Sequence, residues 1–180
     1  MRLWLVRHAR PLIAEGICYG RLDVAADRLA TRALAHRLAE ALPAGIDVVS
    51  SPLQRCAQLA SELGALRPDL GLRCDDRLQE MDFGAWEGRP WNAIDRRELD
   101  AWTHGFLHYR AGGHGESVAM FTARVSRIFD ETAGGEQAWL THGGVFKAAC
   151  LRRRRAVLKA AADWPAQALP WGEWHLFEES

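Results

Sequence analysis

The sequence predicts an α/β protein: a three-layer α/β/α sandwich around a mostly parallel central sheet. Two observations carry this prediction. Short apolar runs recur along the chain, at Leu3-Trp4-Leu5-Val6, Ile46 to Ser50 and Ala138-Trp139-Leu140. Between them lie longer stretches whose apolar residues repeat at helical spacing. No linker, internal repeat or low-complexity stretch breaks this alternation, so residues 1–180 read as one domain.

The elements follow in order. Residues 2–7 read as a buried strand. Segment 25–42 reads as a helix, with Leu34, Leu38 and Leu42 in register and Leu29 and several alanines alongside. Ile46 to Ser50 is a second strand. Ser51-Pro52 is expected to open the next helix, with serine as N-cap and proline at the first helical position. Leu53, Ala57, Ala60 and Leu63 form its apolar face, and Gly64 is expected to end it. Leu70 to Cys74 is a short strand. Residues 75–114 show no clear period and hold Trp86, Trp91, Trp102 and three histidines. Loop-rich stretches of this kind carry function on a rigid scaffold, so the segment is expected to face the substrate. From Ser117, the residues Val118, Phe121, Val125, Ile128, Phe129 and Thr132 mark an amphipathic helix ending at Gly134-Gly135. Ala138 to Thr141 is a strand, a helix runs from Val145, and Trp174 to Phe177 reads as a last strand.

Composition narrows the function. Basic and acidic residues both number 23, so the formal net charge is zero. Nothing global therefore draws the chain to nucleic acid or to an anionic membrane, and any anion site must be local. Met1-Arg2 precedes only four apolar residues, unlike a secretory leader. No apolar run approaches the roughly 20 residues of a bilayer span. The four cysteines form no CxxC pair and no zinc spacing. These features suggest a reduced, cytoplasmic protein with no structural metal.

Two histidines, His8 and His142, each follow a strand. Ligands bind at the carboxyl ends of strands in open α/β sheets. A neutral imidazole is a competent nucleophile, and Arg7 beside it could hold phosphate through paired hydrogen bonds. Arg55 lies in the first turn of the helix after Ser50-Ser51-Pro52, off the apolar stripe, where a helix N-terminus also favours an anion. The stretch Leu78-Gln79-Glu80-Met81-Asp82-Phe83-Gly84-Ala85-Trp86-Glu87-Gly88 offers three carboxylates. One of them against an aromatic could serve as general acid, but spacing does not choose between Glu80, Asp82 and Glu87. Arg152-Arg153-Arg154-Arg155 reads as a solvated helix end. Trp86, Trp91 and Trp102 are the tryptophans placed to line a pocket.

VRH (6–8), SSPLQRC (50–56), LQEMDFGAWEG (78–88), GES (115–117) and THGG (141–144), in this order and spacing, resemble the histidine phosphatase, or phosphoglycerate-mutase-like, superfamily. The match runs from residue 2 to about 150. Within it, residues 16–24 and 80–88 most resemble the alpha-ribazole phosphatases of cobalamin biosynthesis. The resemblance implies a phosphoglycerate-mutase-like fold and a phosphomonoesterase acting through phosphohistidine without a cofactor. Its substrate would be alpha-ribazole 5′-phosphate or adenosylcobalamin 5′-phosphate. His8 would be the nucleophile and Glu80 the proton donor. Arg7, Arg55 and His142 would surround the phosphate, with Arg10, Tyr19, Gly20 and Arg21 as further candidates. The expected partner is a small phosphomonoester, with no nucleic acid or membrane; a homodimer is compatible. Other small phosphomonoesters, such as a sugar phosphate, fit the same motifs. A mutase fits less well, because residues 75–114 leave little room for the insertion mutases carry. After His8 the family usually has Gly, then Ser or Thr, then Asn; here Ala9, Arg10, Pro11 and Ala14 stand there. That departure leaves open a catalytically weak or silent phosphate-binding protein.

Overall fold

A computed structural model describes residues 1–132 and 134–178. Five strands form one sheet: β1 (Arg2–Arg7), β2 (Asp47–Ser50), β3 (Gly71–Cys74), β4 (Glu136–Thr141) and β5 (Trp174–Glu178). Their spatial order is β3-β2-β4-β1-β5, all parallel except β5, which pairs antiparallel to β1. The helices are α1 (Arg28–Ala41), α2 (Gln54–Leu66), α3 (Arg96–His104), α4 (Val118–Glu131) and α5 (Gly143–Arg153).

Alternation along each strand divides the core into two layers. Leu3, Leu5, Val49, Trp139 and Phe177 face α4 and α5, packing on Phe121, Val125, Ile128, Val145 and Ala149. Trp4, Val6, Val48, Ala138 and Leu140 face α1 and α2, packing on Leu34, Leu38, Leu59 and Leu63. The expected α/β/α sandwich is the observed one.

The sheet order positions the site. β1 and β4 are neighbours, with Arg7 opposite Thr141, and the His8 N–H extends the ladder by donating to the Thr141 carbonyl at 3.2 Å. Beyond this point the chain leads from β1 to α1 on one face and from β4 to α5 on the other. Such a divergence opens a crevice at the strand ends, where α/β proteins bind ligands.

Several local expectations differ from the structure. Leu29 sits outside the α1 stripe and is 77% exposed, because Asp27 caps the helix and Leu29 falls on its outer side. Helix α2 begins at Gln54, not Pro52, and has no side-chain cap. Ser51 instead prolongs β2, donating its N–H to Leu140, and its hydroxyl is taken up at the site described below. Gly64 does not end α2; a Cβ there would lie 2.6 Å from Leu72 Cδ1, so the glycine lets the helix close on β3. Residues 75–114 contain a helix, α3, capped by Asp95. No helix among the described residues is long and apolar enough to cross a membrane. The arginine run ends α5: Arg152 pairs with Asp130 at 2.8 Å, Arg153 covers Phe177, and Arg155 takes a left-handed φ of 51°.

Candidate active site

A cavity of about 320 Å³ opens at the carboxyl ends of β1 and β4. Arg7, His8, Tyr19, Arg55, Glu80, His142 and Lys147 line its polar end. Ile17, Phe83, Trp91, Trp102, Phe106 and Trp164 are among the residues of its apolar end.

His8 is nearly completely buried. Its Nδ1 lies 2.7 Å from the Ala9 carbonyl, an acceptor, so Nδ1 carries the proton and Nε2 the lone pair. Burial, reinforced by the positive charges of Arg55 and Arg7, pushes its pKa down to about 3. The ring is therefore a neutral base with one free nitrogen. Ala9 causes no strain beside it, because Arg155 is the non-glycine residue with positive φ among the described residues.

Arg55 is fully buried. It belongs to the inward face of α2, four residues before Leu59 and eight before Leu63, not off the apolar stripe as expected. Its Nη1 donates to Leu22 O at 2.9 Å, its Nη2 to Gly20 O at 2.6 Å and its Nε to His142 Nδ1 at 3.2 Å. Since arginine only donates, His142 Nδ1 is unprotonated, and Nε2 donates to Ser51 Oγ at 2.8 Å. Burial and then Arg55 hold His142 well below its ordinary pKa. Its ring meets His8 edge-on at 5.1 Å. Both His142 nitrogens are thus engaged within the protein, one by Arg55 and the other by Ser51.

The other side chains arrive from separate elements. Arg7, the last residue of β1, donates from Nη1 to Leu169 O at 2.6 Å, and its buried Nε has no partner. Its guanidinium lies against Gly143, the first residue of α5. Glu80 accepts from Gly144 N at 2.8 Å and from Met81 N at 3.0 Å, so its carboxylate caps the start of α5. A Cβ on Gly144 would run into Glu80 Oε1, which explains the glycine.

The three acids of the 78–88 stretch now separate. Glu80 is in the cavity; Asp82 accepts from Gly84 N at 2.7 Å and lies 3.6 Å from Arg21. Glu87 accepts from the backbone N–H groups of Gly20, Arg21, Leu22 and Phe83, clamping the loop whose carbonyls hold Arg55. Gly20 contributes through its backbone, and Tyr19 lines the cavity with its ring 5.6 Å from the Arg55 guanidinium.

Arg10 and Arg21 do not belong to this group. Arg10 is exposed and lies 5.8 Å from the Trp171 ring in a neighbouring hollow, while Arg21 turns toward Asp82. Trp86 is also not a lining residue: it is fully buried and donates to Glu98 at 2.6 Å, whereas Trp91 and Trp102 do line the cavity. Sequence reasoning missed Lys147, whose position four residues after Gly143 places it on the same face of α5. Burial pulls its pKa down and Glu80 opposes the shift.

A glucosyl-3-phosphoglycerate phosphatase of Mycobacterium tuberculosis is 30% identical over 190 residues, covering 92% of this chain and 79% of its own. A Thermus thermophilus structure described as phosphoglycerate mutase is 33% identical, with a TM-score of 0.71 over 98% of this chain and 92% of the other. An Escherichia coli structure, provisionally assigned as an alpha-ribazole-5′-P phosphatase, superposes with a TM-score of 0.79 at 24% identity. It covers 98% of this chain and 89% of its own, a likeness of fold. Residues 3–170 match the histidine phosphatase superfamily, branch 1. The chain is a member of that superfamily and a phosphoric monoester hydrolase.

Proposed function

We propose that this phosphatase works through phosphohistidine at His8 Nε2 and that its substrate is alpha-ribazole 5′-phosphate or adenosylcobalamin 5′-phosphate. The observation that carries the mechanism is the tautomer of His8: Nδ1–H is committed to Ala9, so Nε2 offers its lone pair in a cavity lined by Arg7, Arg55 and Glu80.

The substrate phosphate lies among Arg7, Arg55 and the start of α5, where guanidinium donors and backbone N–H groups suit its charge. It satisfies the Arg7 Nε, which the protein leaves unpartnered. Nε2 attacks phosphorus, the bond to the leaving oxygen breaks, and Glu80 transfers its proton to that oxygen. A water then gives a proton back to Glu80 and attacks phosphorus. The phosphorus–nitrogen bond breaks, returning the electron pair to Nε2 and releasing phosphate. Arg7 and Arg55 stabilise the charge on the equatorial oxygens in both displacements.

The aromatic half of the cavity supports the substrate class. Trp91 and Trp102 lie nearly parallel, 20° apart, with Phe83 edge-on to Trp91 at 5.5 Å. Such a wall suits a leaving group that ends in a flat, apolar ring. A second reading rests on Lys147, a cation that would favour a carboxylate near the phosphate, as in a phosphoglycerate derivative.

Phosphate release from alpha-ribazole 5′-phosphate, adenosylcobalamin 5′-phosphate, glucosyl-3-phosphoglycerate and 3-phosphoglycerate tests the substrate directly. The proposal expects the first pair to give the highest kcat/KM; a preference for the last pair favours the carboxylate reading. Acid-quenched labelling with ³²P-substrate should mark His8, and His8→Ala should fold without turnover. Normal turnover in His8→Ala would overturn the mechanism.

A further inference from the structure

We infer that Arg124, held by Glu116, is a positioning residue that sets where Glu80 stands; this inference rests on Glu80 being the proton donor. Arg124 lies on α4, and its guanidinium packs on the Phe121 ring at 4.7 Å. An arginine side chain has five N–H donors. Here all five are used within one small region. Nε donates to Glu116 Oε1 at 2.7 Å and Nη2 to Glu116 Oε2 at 2.8 Å. The second Nη2 donor goes to Glu80 O at 2.9 Å, and Nη1 serves Arg77 O and Gln79 O, both at 2.7 Å.

Three of these acceptors are main-chain carbonyls of residues 77–80. That segment begins within a single 3₁₀ turn, Asp76–Leu78, and continues without helix or strand to Phe83. It has no ladder of its own to fix its path, and buried carbonyls need partners. Glu116 grips the other side. Its Oε2 accepts from Asp82 N at 3.0 Å, and its backbone N–H donates to Asp82 O at 2.8 Å. Both side chains are largely buried, at 13% and 10% exposure. Glu80 is therefore bracketed: Arg124 of α4 holds its carbonyl, Glu116 just before α4 holds Asp82 two residues on, and α5 holds its carboxylate through Gly144.

A merely structural ion pair would not be placed this way. The arginine reaches three backbone carbonyls, of Arg77, Gln79 and Glu80, in the proton donor's own segment, which a point charge cannot do. Lysine has three donors on one atom and cannot replace the fork. Loss of the fork should let the Glu80 carboxyl drift relative to the leaving oxygen, while His8, Arg7 and Arg55, which come from β1 and α2, stay in place. Proton donation matters most when the leaving group is a poor one, and general-acid contributions of about 10²- to 10⁴-fold are usual.

The test compares p-nitrophenyl phosphate, whose leaving group departs unaided, with phenyl phosphate, whose leaving group needs the proton. Wild type, Glu80→Gln, Arg124→Lys, Arg124→Met, Glu116→Gln and the double variant Glu80→Gln/Arg124→Lys are assayed. Expected for Arg124→Lys is a loss in kcat of about tenfold or more on phenyl phosphate and under about threefold on p-nitrophenyl phosphate. KM and competitive inhibition by inorganic phosphate stay within about twofold, and the double variant is no worse than Glu80→Gln. Equal losses on the two esters, or losses that add in the double variant, overturn the inference. Should Arg124→Met lose its thermal unfolding transition, Arg124→Lys and Glu116→Gln decide by the same comparison. The parent reading fails separately: there, Glu80→Gln itself would lose equally on both esters.

Discussion

Acidification should destabilise the protein through His8, by an amount the site dictates. In the fold, burial beside Arg55 and Arg7 holds His8 neutral down to about pH 3, against an ordinary value of 6.5. The unfolded chain therefore binds the extra proton between those limits. Stability falls as the pH drops from about 6.5 toward 3, and the contribution is fully present above 6.5. At pH 5 the penalty spans about 1.5 pH units, which at about 1.4 kcal/mol per unit comes to about 2 kcal/mol. His142 shifts in the same direction, and Asp75 and Glu116 also lose stability in acid, but these groups stay in a His8 variant and cancel. His8→Asn keeps a donor for the Ala9 carbonyl and removes the titration. Urea unfolding of both proteins at pH 7.5 and pH 5, extrapolated to water, measures the difference. The wild type should lose about 2 kcal/mol more than His8→Asn on this change. Parallel losses would mean that His8 takes up a proton in the fold as readily as in the unfolded chain. The neutral nucleophile would then be wrong.

Two further substitutions probe the walls. Gly20→Ala places a methyl against the Met81 carbonyl oxygen and 2.7 Å from Phe83 Cδ2, so it should cost about 3 kcal/mol and lower kcat by loosening the carbonyl that holds Arg55. An unaltered melting temperature and kcat would remove Gly20 from the support of Arg55. Trp102→Leu should raise KM about five- to tenfold for esters with an aromatic leaving group, with inhibition by inorganic phosphate unchanged. An equal change for simple alkyl phosphates would deny the aromatic wall a part in selection.

Much of this was legible in the sequence, for physical reasons that differ from residue to residue. The central strands announce themselves because β1 and β4 are buried on both faces, so apolar runs stand out and the histidines after them are placed by the fold itself. Arg55 was legible as a candidate for the strand-end site, where it does line the cavity, but its burial was not. Its spacing to Leu59 and Leu63 puts it on the inner stripe, a sign that a charged residue easily hides. Helix α3 escaped notice because only Leu99 and Trp102 face the core over nine residues, too few to show a period. Arg124 had no visible signal at all: its partners are mostly backbone carbonyls, and carbonyls carry no sequence. The part of Ser51 was misread for a related reason. A serine before a proline looks like a cap, and nothing local tells that its hydroxyl is claimed by the histidine that follows β4.

The adjacency of β1 and β4 has a consequence for how activity is acquired. The first and fourth strands in sequence are joined side by side, and the site lies at their seam. Pairing of this kind closes a long loop before it yields any reward, which slows folding. Helices α1 and α2 can form and pack early on local contacts, yet no fragment ending before Thr141 can place His142 beside His8. During refolding, catalytic activity should therefore return later than helical content, as a late and all-or-none event. That makes enzymatic turnover a reporter of the last long-range strand pairing rather than of compaction.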